Sequence, residues 1–147
     1  MNFLDKNLIA FNVEVNTPQE AIEAAGNLLV CANYVEEKYV NAMIESYNVN
    51  GAYIVIAPAI AIPHARPEDG VKETSISLAQ LKKPIVFGNE ANDPVYLVFA
   101  IGASNSDKHL EMLKRLSNIL EKRQAITQLI DASSYEEVKS IIDGGVY

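Results

Sequence analysis

Apolar residues recur at helical spacing in two segments near the start of the chain. Thr17, Pro18 and Glu20 mark a helix start, because threonine can cap the helix, proline suits its first position and glutamate completes a capping box. Apolar positions then follow every three or four residues as far as Ala32. A second helix is predicted from about Glu36 to Tyr47, before a run of turn residues.

The middle of the chain changes from helical to strand patterns. Tyr53–Ala57 is a short apolar run, and Thr74–Leu81 alternates polar and apolar residues as a half-buried strand does. Pro84 is predicted to break the pattern, with 85–88 as a short further strand. The uninterrupted apolar run Val95–Ile101 is typical of a central strand covered on both faces.

Helical periodicity returns in the last third of the sequence. Helices are predicted from about Asp107 to Leu120, from Arg123 to Asp131, and from a cap at Ser134 to Asp143. The first is expected to bury a stripe that begins at Leu110. The order of helices, strands and helices predicts an α/β fold: a single domain over 1–147 with a mixed β-sheet flanked by α-helices.

The composition narrows the class of protein. The chain has 147 residues, of which 49% are hydrophobic, and this suits one compact domain with a substantial core. A net charge of −7 argues against nucleic acid as the main partner, because binding phosphates needs a basic surface. Cys31, the single cysteine, is expected to be a small buried residue, and its isolation favours a cytoplasmic location. No apolar run approaches the ~20 residues of a membrane span.

His64 is the strongest candidate for chemistry. It follows an apolar strand pattern, which is where open α/β sheets place their binding crevices. Pro63 and Pro67 restrict the backbone on either side, and Arg66 adds a nearby positive charge. An imidazole, with a pKa of about 6.5, can act as a nucleophile, an acid–base group or a metal ligand. A purely structural histidine is the alternative.

His109 is the second candidate and lies in the first turn of the helix after the central strand. Ser106 or Asn105 can cap this helix, and a helix N-terminus favours anions. If the strand before His64 runs parallel to the central strand, the two imidazoles face one crevice. An ordinary residue at a helix start is the alternative reading of His109.

Such a pair could carry a phosphoryl group. A neutral imidazole attacks phosphorus in line and becomes phosphohistidine, so His64 would be the nucleophile. His109 and the amides near Ser106 would steady the phosphoryl oxygens, and Arg66 could add a charge-assisted contact. The sequence contains no phosphate loop, dinucleotide fingerprint or nucleophile elbow, so no cofactor is expected. Two histidines without further ligands make a poor zinc site, so no metal is expected.

Two segments together resemble a known family: IAIPHARPEDG and SDKHLEMLKRLSNIL. Their histidines, His64 and His109, are 45 residues apart. Over nearly its whole length the chain is similar to the cytosolic enzyme IIA of the bacterial sugar phosphotransferase system, mannitol–fructose type. The resemblance implies a phosphoryl relay from the small carrier HPr to an enzyme IIB, with the membrane transporter IIC reached only indirectly. The family's phosphorylated histidine falls on His64 and its phosphate-stabilising histidine on His109.

The sequence also departs from the mannitol pattern. Mannitol-type members have glycine after Pro-His, where this chain has Ala65, and an arginine that the segment Ile44–Tyr47 lacks. PHARPEDGV looks more like the ascorbate-type branch, which implies uptake of ascorbate or a related sugar, with Arg66 as a candidate for the missing charge. A regulatory module that signals through its phosphorylation state is the alternative. Three apolar residues are candidates for a docking patch if they are exposed, with burial in the core as the favoured alternative: Ile60, Ile62 and Phe87.

Overall fold

A computed structural model describes residues 2–144, which contain six strands and five α-helices. The strands are β1 (Asn2–Phe3), β2 (Ile9–Val13), β3 (Val55–Ala57), β4 (Ile60–Ala61), β5 (Ser75–Ile85) and β6 (Val95–Gly102). The helices are α1 (Pro18–Cys31), α2 (Glu37–Asn50), α3 (Ser106–Leu120), α4 (Arg123–Asp131) and α5 (Tyr135–Ile142). Both predicted N-terminal helices and all three C-terminal helices are therefore present.

The strands form one mixed sheet in the order β1-β5-β6-β4-β3, with β2 also paired to β5. The central pair β5 and β6 is antiparallel, whereas β4 runs parallel to β6. The N-terminal strands β1 and β2 lie along β5, parallel to it, and the sequence pattern did not predict them. Their lengths of 2 and 5 residues leave little room for a periodic signal.

Helices cover both faces of the sheet. One apolar cluster joins the sheet to α1 and α2, and a second joins the other face to α3, α4 and α5. Side chains of β6 alternate between them, with Val98 and Ala100 in the first cluster and Phe99 and Ile101 in the second. The prediction of a central strand buried on both faces is confirmed. No helix within residues 2–144 is both long enough and apolar enough to cross a bilayer.

The predicted strand break at Pro84 is wrong, because β5 continues through it to Ile85. The pairing register between β5 and β6 shifts between Gln80 and Ile85, and residues 82–84 are exposed. The irregular ladder there tolerates a residue without an N–H donor. The separate short strand predicted at 85–88 is absent, because Ile85 is the last residue of β5. The strand predicted from Tyr53 begins only at Val55, because Tyr53 lies in a 3-10 turn.

Two predicted burials are also wrong, for the same geometric reason. Cys31 is exposed. It follows buried Leu29 by two residues, and because each residue turns the helix by about 100°, it lies on the opposite face of α1. Leu110 is 62% exposed, two positions before buried Met112 on α3. The buried stripe of α3 therefore passes through Met112 and Leu116 rather than through Leu110.

Candidate functional site

His64 lies where the chain leaves the sheet after β4. It pairs with Ile101 of β6 in a parallel bridge, and the Ile101 amide donates to the Pro63 carbonyl at 3.1 Å. Because β4 and β6 are parallel neighbours, their carboxyl ends lie at the same edge of the sheet. His64 therefore occupies the strand-end position that the sequence predicted.

His109 enters the same edge from the start of α3. The Asn105 side chain accepts a hydrogen bond from the Lys108 amide at 2.8 Å, so Asn105 rather than Ser106 caps the helix. The His109 amide donates to the Asn105 carbonyl at 3.0 Å and closes the first turn. Among residues 2–144, nothing accepts a hydrogen bond from the amides of Ser106 and Asp107, which remain available to an anion.

The two imidazoles face one cleft, as predicted. Their ring centroids are 5.0 Å apart, with an angle of 49° between the ring planes. Both rings line an open cavity of about 370 Å³, together with Arg66 and Ser106. The remaining lining residues are Ala65, Pro67, Ala103 and Asn105. All four residues selected from the sequence thus meet at one place in the fold.

A backbone hydrogen bond determines which nitrogen of His64 is protonated. Nδ1 lies 2.9 Å from the carbonyl oxygen of Ile62. A carbonyl only accepts, so Nδ1 must carry the proton, and in the neutral ring the free lone pair is then on Nε2. The residue is half-buried, so Nε2 is the atom available for chemistry at the cleft.

The pKa of His109 lies below its usual value of 6.5. Burial is the larger cause, because it disfavours the charged imidazolium, and the neighbouring charge of His64 is the second. The shift favours the neutral ring, which can offer one ring N–H to a bound group.

Arg66 lies at the rim of the cleft but is paired elsewhere. Its guanidinium contacts Asp69 at 3.5 Å and Glu68 at 3.6 Å, and its side chain is 77% exposed. The Arg66 amide, 3.1 Å from an Asp69 carboxylate oxygen, is the main reason that the pKa of Asp69 is lowered. In this structure the positive charge of Arg66 is thus shared with an acidic turn.

Tyr53 is a neighbour of His64 that sequence reasoning did not select. Its ring meets the His64 ring edge-on, with centroids 6.1 Å apart, and its hydroxyl is 3.0 Å from the Ser46 hydroxyl. Ser46 belongs to the helix end that lacks the mannitol-type arginine. Together with Arg66 they border a second cavity of about 590 Å³ on this side of His64.

Tyr39 was also missed as a site residue, because nothing local in α2 indicates where its hydroxyl reaches. The hydroxyl contacts the amide of Ala65 at 3.0 Å and the carbonyl of Ile101 at 2.6 Å.

The apolar docking candidates named from the sequence are buried: Ile60, Ile62 and Phe87. Within residues 2–144, no three His, Cys, Asp or Glu side chains are arranged to hold a metal ion.

Comparisons with known proteins agree on one family. The family model "Phosphoenolpyruvate-dependent sugar phosphotransferase system, EIIA 2" matches residues 2–144. The ascorbate-specific PTS system EIIA component of Salmonella typhimurium is 39% identical over 140 residues, which make up 95% of this chain and 91% of that protein.

Solved structures of mannitol-type proteins are also similar to this chain. The mannitol-specific cryptic phosphotransferase enzyme IIA CmtB of Escherichia coli aligns with a TM-score of 0.84 at 33% identity, over 97% of this chain and 96% of that one. The complex of enzyme IIA and phosphorylated enzyme IIB for mannitol, also from Escherichia coli, aligns with a TM-score of 0.85 at 32% identity, over 97% of this chain and 99% of the matched chain. By sequence and by fold, the chain belongs to the EIIA 2 family, whose members are phosphotransferases of the phosphoenolpyruvate-dependent sugar phosphotransferase system.

Proposed function

We propose that the protein is a single enzyme IIA domain that carries a phosphoryl group on His64, taking it from phospho-HPr and passing it to an enzyme IIB. The hydrogen bond from His64 Nδ1 to the Ile62 carbonyl carries this proposal. It leaves Nε2 unprotonated in a cleft that also contains His109. A nucleophile held in one orientation beside a group of donors is what in-line phosphoryl transfer requires.

The transfer balances without a proton leaving His64. The Nε2 lone pair forms the bond to phosphorus while the bond to the donor atom of HPr breaks, and that atom keeps the electron pair. The ring becomes more positive, and its Nδ1–H continues to donate to the Ile62 carbonyl, which stabilises that charge. Transfer to enzyme IIB is the same displacement with His64 as the leaving group.

The groups around the cleft would stabilise the phosphoryl oxygens. The amides of Ser106 and Asp107 present donors at the positive end of α3, and His109 adds a ring N–H. Arg66 would exchange its exposed pairs with Asp69 and Glu68 for the incoming dianion. This exchange is feasible because exposed ion pairs are worth only ~0–1 kcal/mol.

Similar proteins support an acceptor and a transported sugar for this one. The mannitol enzyme IIA forms a complex with a phosphorylated enzyme IIB, which supports IIB as the acceptor here. A membrane IIC would be reached only through IIB. The relative named ascorbate-specific, at 39% identity, supports ascorbate or a related sugar as the substrate of the system. We place the protein in the cytoplasm, where such a relay operates. No specific observation favours the purely regulatory alternative.

Phosphorylation with purified components tests the proposal. We expect incubation with phosphoenolpyruvate, enzyme I and HPr to give an acid-labile, base-stable phosphate, absent from His64→Ala. Addition of an enzyme IIB should then discharge the label. An unlabelled wild-type protein, or a label that survives in His64→Ala, would contradict the assignment. A label that no candidate IIB discharges would point to the regulatory alternative instead.

A further inference from the structure

Tyr39 connects α2 to the backbone on both sides of the site. It is the third residue of α2, its side chain is 1% exposed, and its hydroxyl reaches across the sheet edge. The hydroxyl accepts a hydrogen bond from the Ala65 amide at 3.0 Å. Its single proton goes to the nearer of two carbonyls, that of Ile101 at 2.6 Å, rather than to that of Ala65 at 3.2 Å.

These contacts occupy a defined position in the pairing of β4 with β6. In a parallel bridge between His64 and Ile101, the Ile101 amide donates to the carbonyl of Pro63, as observed. The next bond of a regular ladder would run from the Ala65 amide directly to the Ile101 carbonyl. Here the Tyr39 hydroxyl stands between those two groups, accepting from one and donating to the other.

The hydroxyl therefore contacts the backbone directly after His64. Pro63 is hydrogen-bonded to β6 through the Ile101 amide, whereas the Ala65 amide is linked to the Ile101 carbonyl through the Tyr39 hydroxyl. We propose that Tyr39 is a positioning residue for His64: its hydroxyl fixes the backbone that presents the ring to the cleft with Nδ1 on Ile62. This inference rests on the proposed phosphorylation of His64.

The Tyr39 hydroxyl is suited to a permanent structural contact. Burial raises the pKa of Tyr39 to about 12, so the group stays a protonated donor throughout the physiological range. Removing it would leave the Ala65 amide and the Ile101 carbonyl without their shared partner in a part-buried position. The phenyl ring itself would still fill its place in the core.

The test compares Tyr39→Phe with Tyr47→Phe. Tyr47 is on the same helix and also donates from its hydroxyl to a carbonyl, that of Phe87, and within residues 2–144 its hydrogen bond and its ring contact are both with Phe87 rather than with residues 62–66. For Tyr39→Phe we expect the kcat of phosphoryl transfer from phospho-HPr to fall about tenfold to hundredfold, as for a small misplacement of a reacting group. The KM for phospho-HPr should stay within about twofold, because the docking surface is unchanged.

Nitrogen NMR of the His64 ring gives a readout that a general loss of stability would not move. We expect the Nδ1–H tautomer to dominate in the wild type and in Tyr47→Phe, and to lose population in Tyr39→Phe. The inference would be overturned if Tyr39→Phe left the ring signals unchanged, whether or not the transfer rate fell. It would also be overturned if Tyr39→Phe and Tyr47→Phe lost the same rate and the same tautomer population. The ring is measured without phosphate, so a failure of His64 to be phosphorylated is seen separately.

Discussion

The two imidazoles of the cleft have different surroundings, which supports the different roles proposed for them. His64 is oriented by the Ile62 carbonyl through Nδ1, whereas His109 is placed by the first turn of α3. With 5.0 Å between the ring centroids, a phosphoryl group on His64 lies within reach of the His109 ring. His109 is thus expected to stabilise the transferred group without forming a bond to phosphorus.

Replacing His109 by alanine should slow the transfer but not abolish it. We expect about tenfold to hundredfold lower kcat, the usual range for losing a hydrogen-bond donor to a transferring group, with the label still on His64. His109→Gln keeps an N–H donor and should recover part of the rate. Rapid-quench measurement of phosphorylation by phospho-HPr checks this. Wild-type kinetics in His109→Ala would refute the stabilising role.

The lowered pKa of His109 also makes stability depend on pH. The unfolded chain binds the proton near the ordinary pKa of 6.5, and the folded protein binds it only at lower pH. The free energy of unfolding should therefore fall as the pH drops below about 6.5, and should be independent of this group above that value. When the free energy of unfolding is measured in urea from pH 7.5 to pH 5, it should decline less in His109→Gln than in the wild type. An identical decline in both proteins would contradict the environment found for His109.

At the scale of elements, the start of α3 links the central strand to the site. Asn105 caps the helix, and the next four residues supply two free amides and His109. The helix start therefore orients both the second imidazole and the amides that are proposed to bind the phosphoryl oxygens. Thr17 caps α1 in the same way, by accepting from the Glu20 amide at 3.1 Å, but it lies outside the residues that line the cleft.

The two caps make a matched pair of variants. Asn105→Ala and Thr17→Ala should each lower the free energy of unfolding by about 1 kcal/mol, the usual cost of a lost N-cap. Only Asn105→Ala should also slow phosphorylation, and Asn105→Ser should restore much of both properties, because serine caps nearly as well and adds no negative charge to the cleft. Thermal unfolding and transfer rates measured together decide the matter. Equal slowing by both alanine variants would mean that stability, rather than the helix start, limits the rate.

At the scale of the whole molecule, each of the two histidines has an exposed apolar neighbour. Tyr53, whose ring contacts that of His64, is 48% exposed, and Leu110, which follows His109 in the chain, is 62% exposed. A transient complex needs a modest, partly apolar patch around the reactive group. Tyr53 and Leu110 fit this role, whereas the buried Ile60 and Ile62 only support the strand.

Leu110→Asp should weaken docking of the phosphoryl donor. We expect KM for phospho-HPr to rise about fivefold or more, because docking would bury an unpaired carboxylate where it now buries an apolar side chain. The thermal stability should be unchanged, since Leu110 is exposed. Val86→Asp is the control, because Val86 is also exposed but lies away from the site. It follows Ile85, which pairs with Val95 at the start of β6, whereas Ile101 is near the other end of that strand. Equal KM values for the two variants would contradict docking at Leu110.

The candidate groups of the site are encoded locally, and their meeting in one cleft could be predicted from sequence alone. His64 between two prolines, and His109 in a capped helix start, are patterns of contiguous residues, and the five helices and the central strand follow from periodicity. The same local rules failed at Pro84, because the irregular pairing of β5 with β6, which tolerates proline, depends on a distant strand. They also failed at Leu110 and Cys31, because tertiary packing decides which face of each helix is buried.

Only the tertiary structure decided how these parts meet. The 5.0 Å between His64 and His109 depends on β4 lying parallel beside β6, and the Tyr39 contact joins residues 26 positions apart. Pairing order and register result from packing both faces of the sheet, which no single segment encodes. The sequence by itself therefore determined the candidate groups and their elements, whereas the fold determined the distance between them, the backbone carbonyl that orients the His64 ring and the contact of the Tyr39 hydroxyl with the next residue.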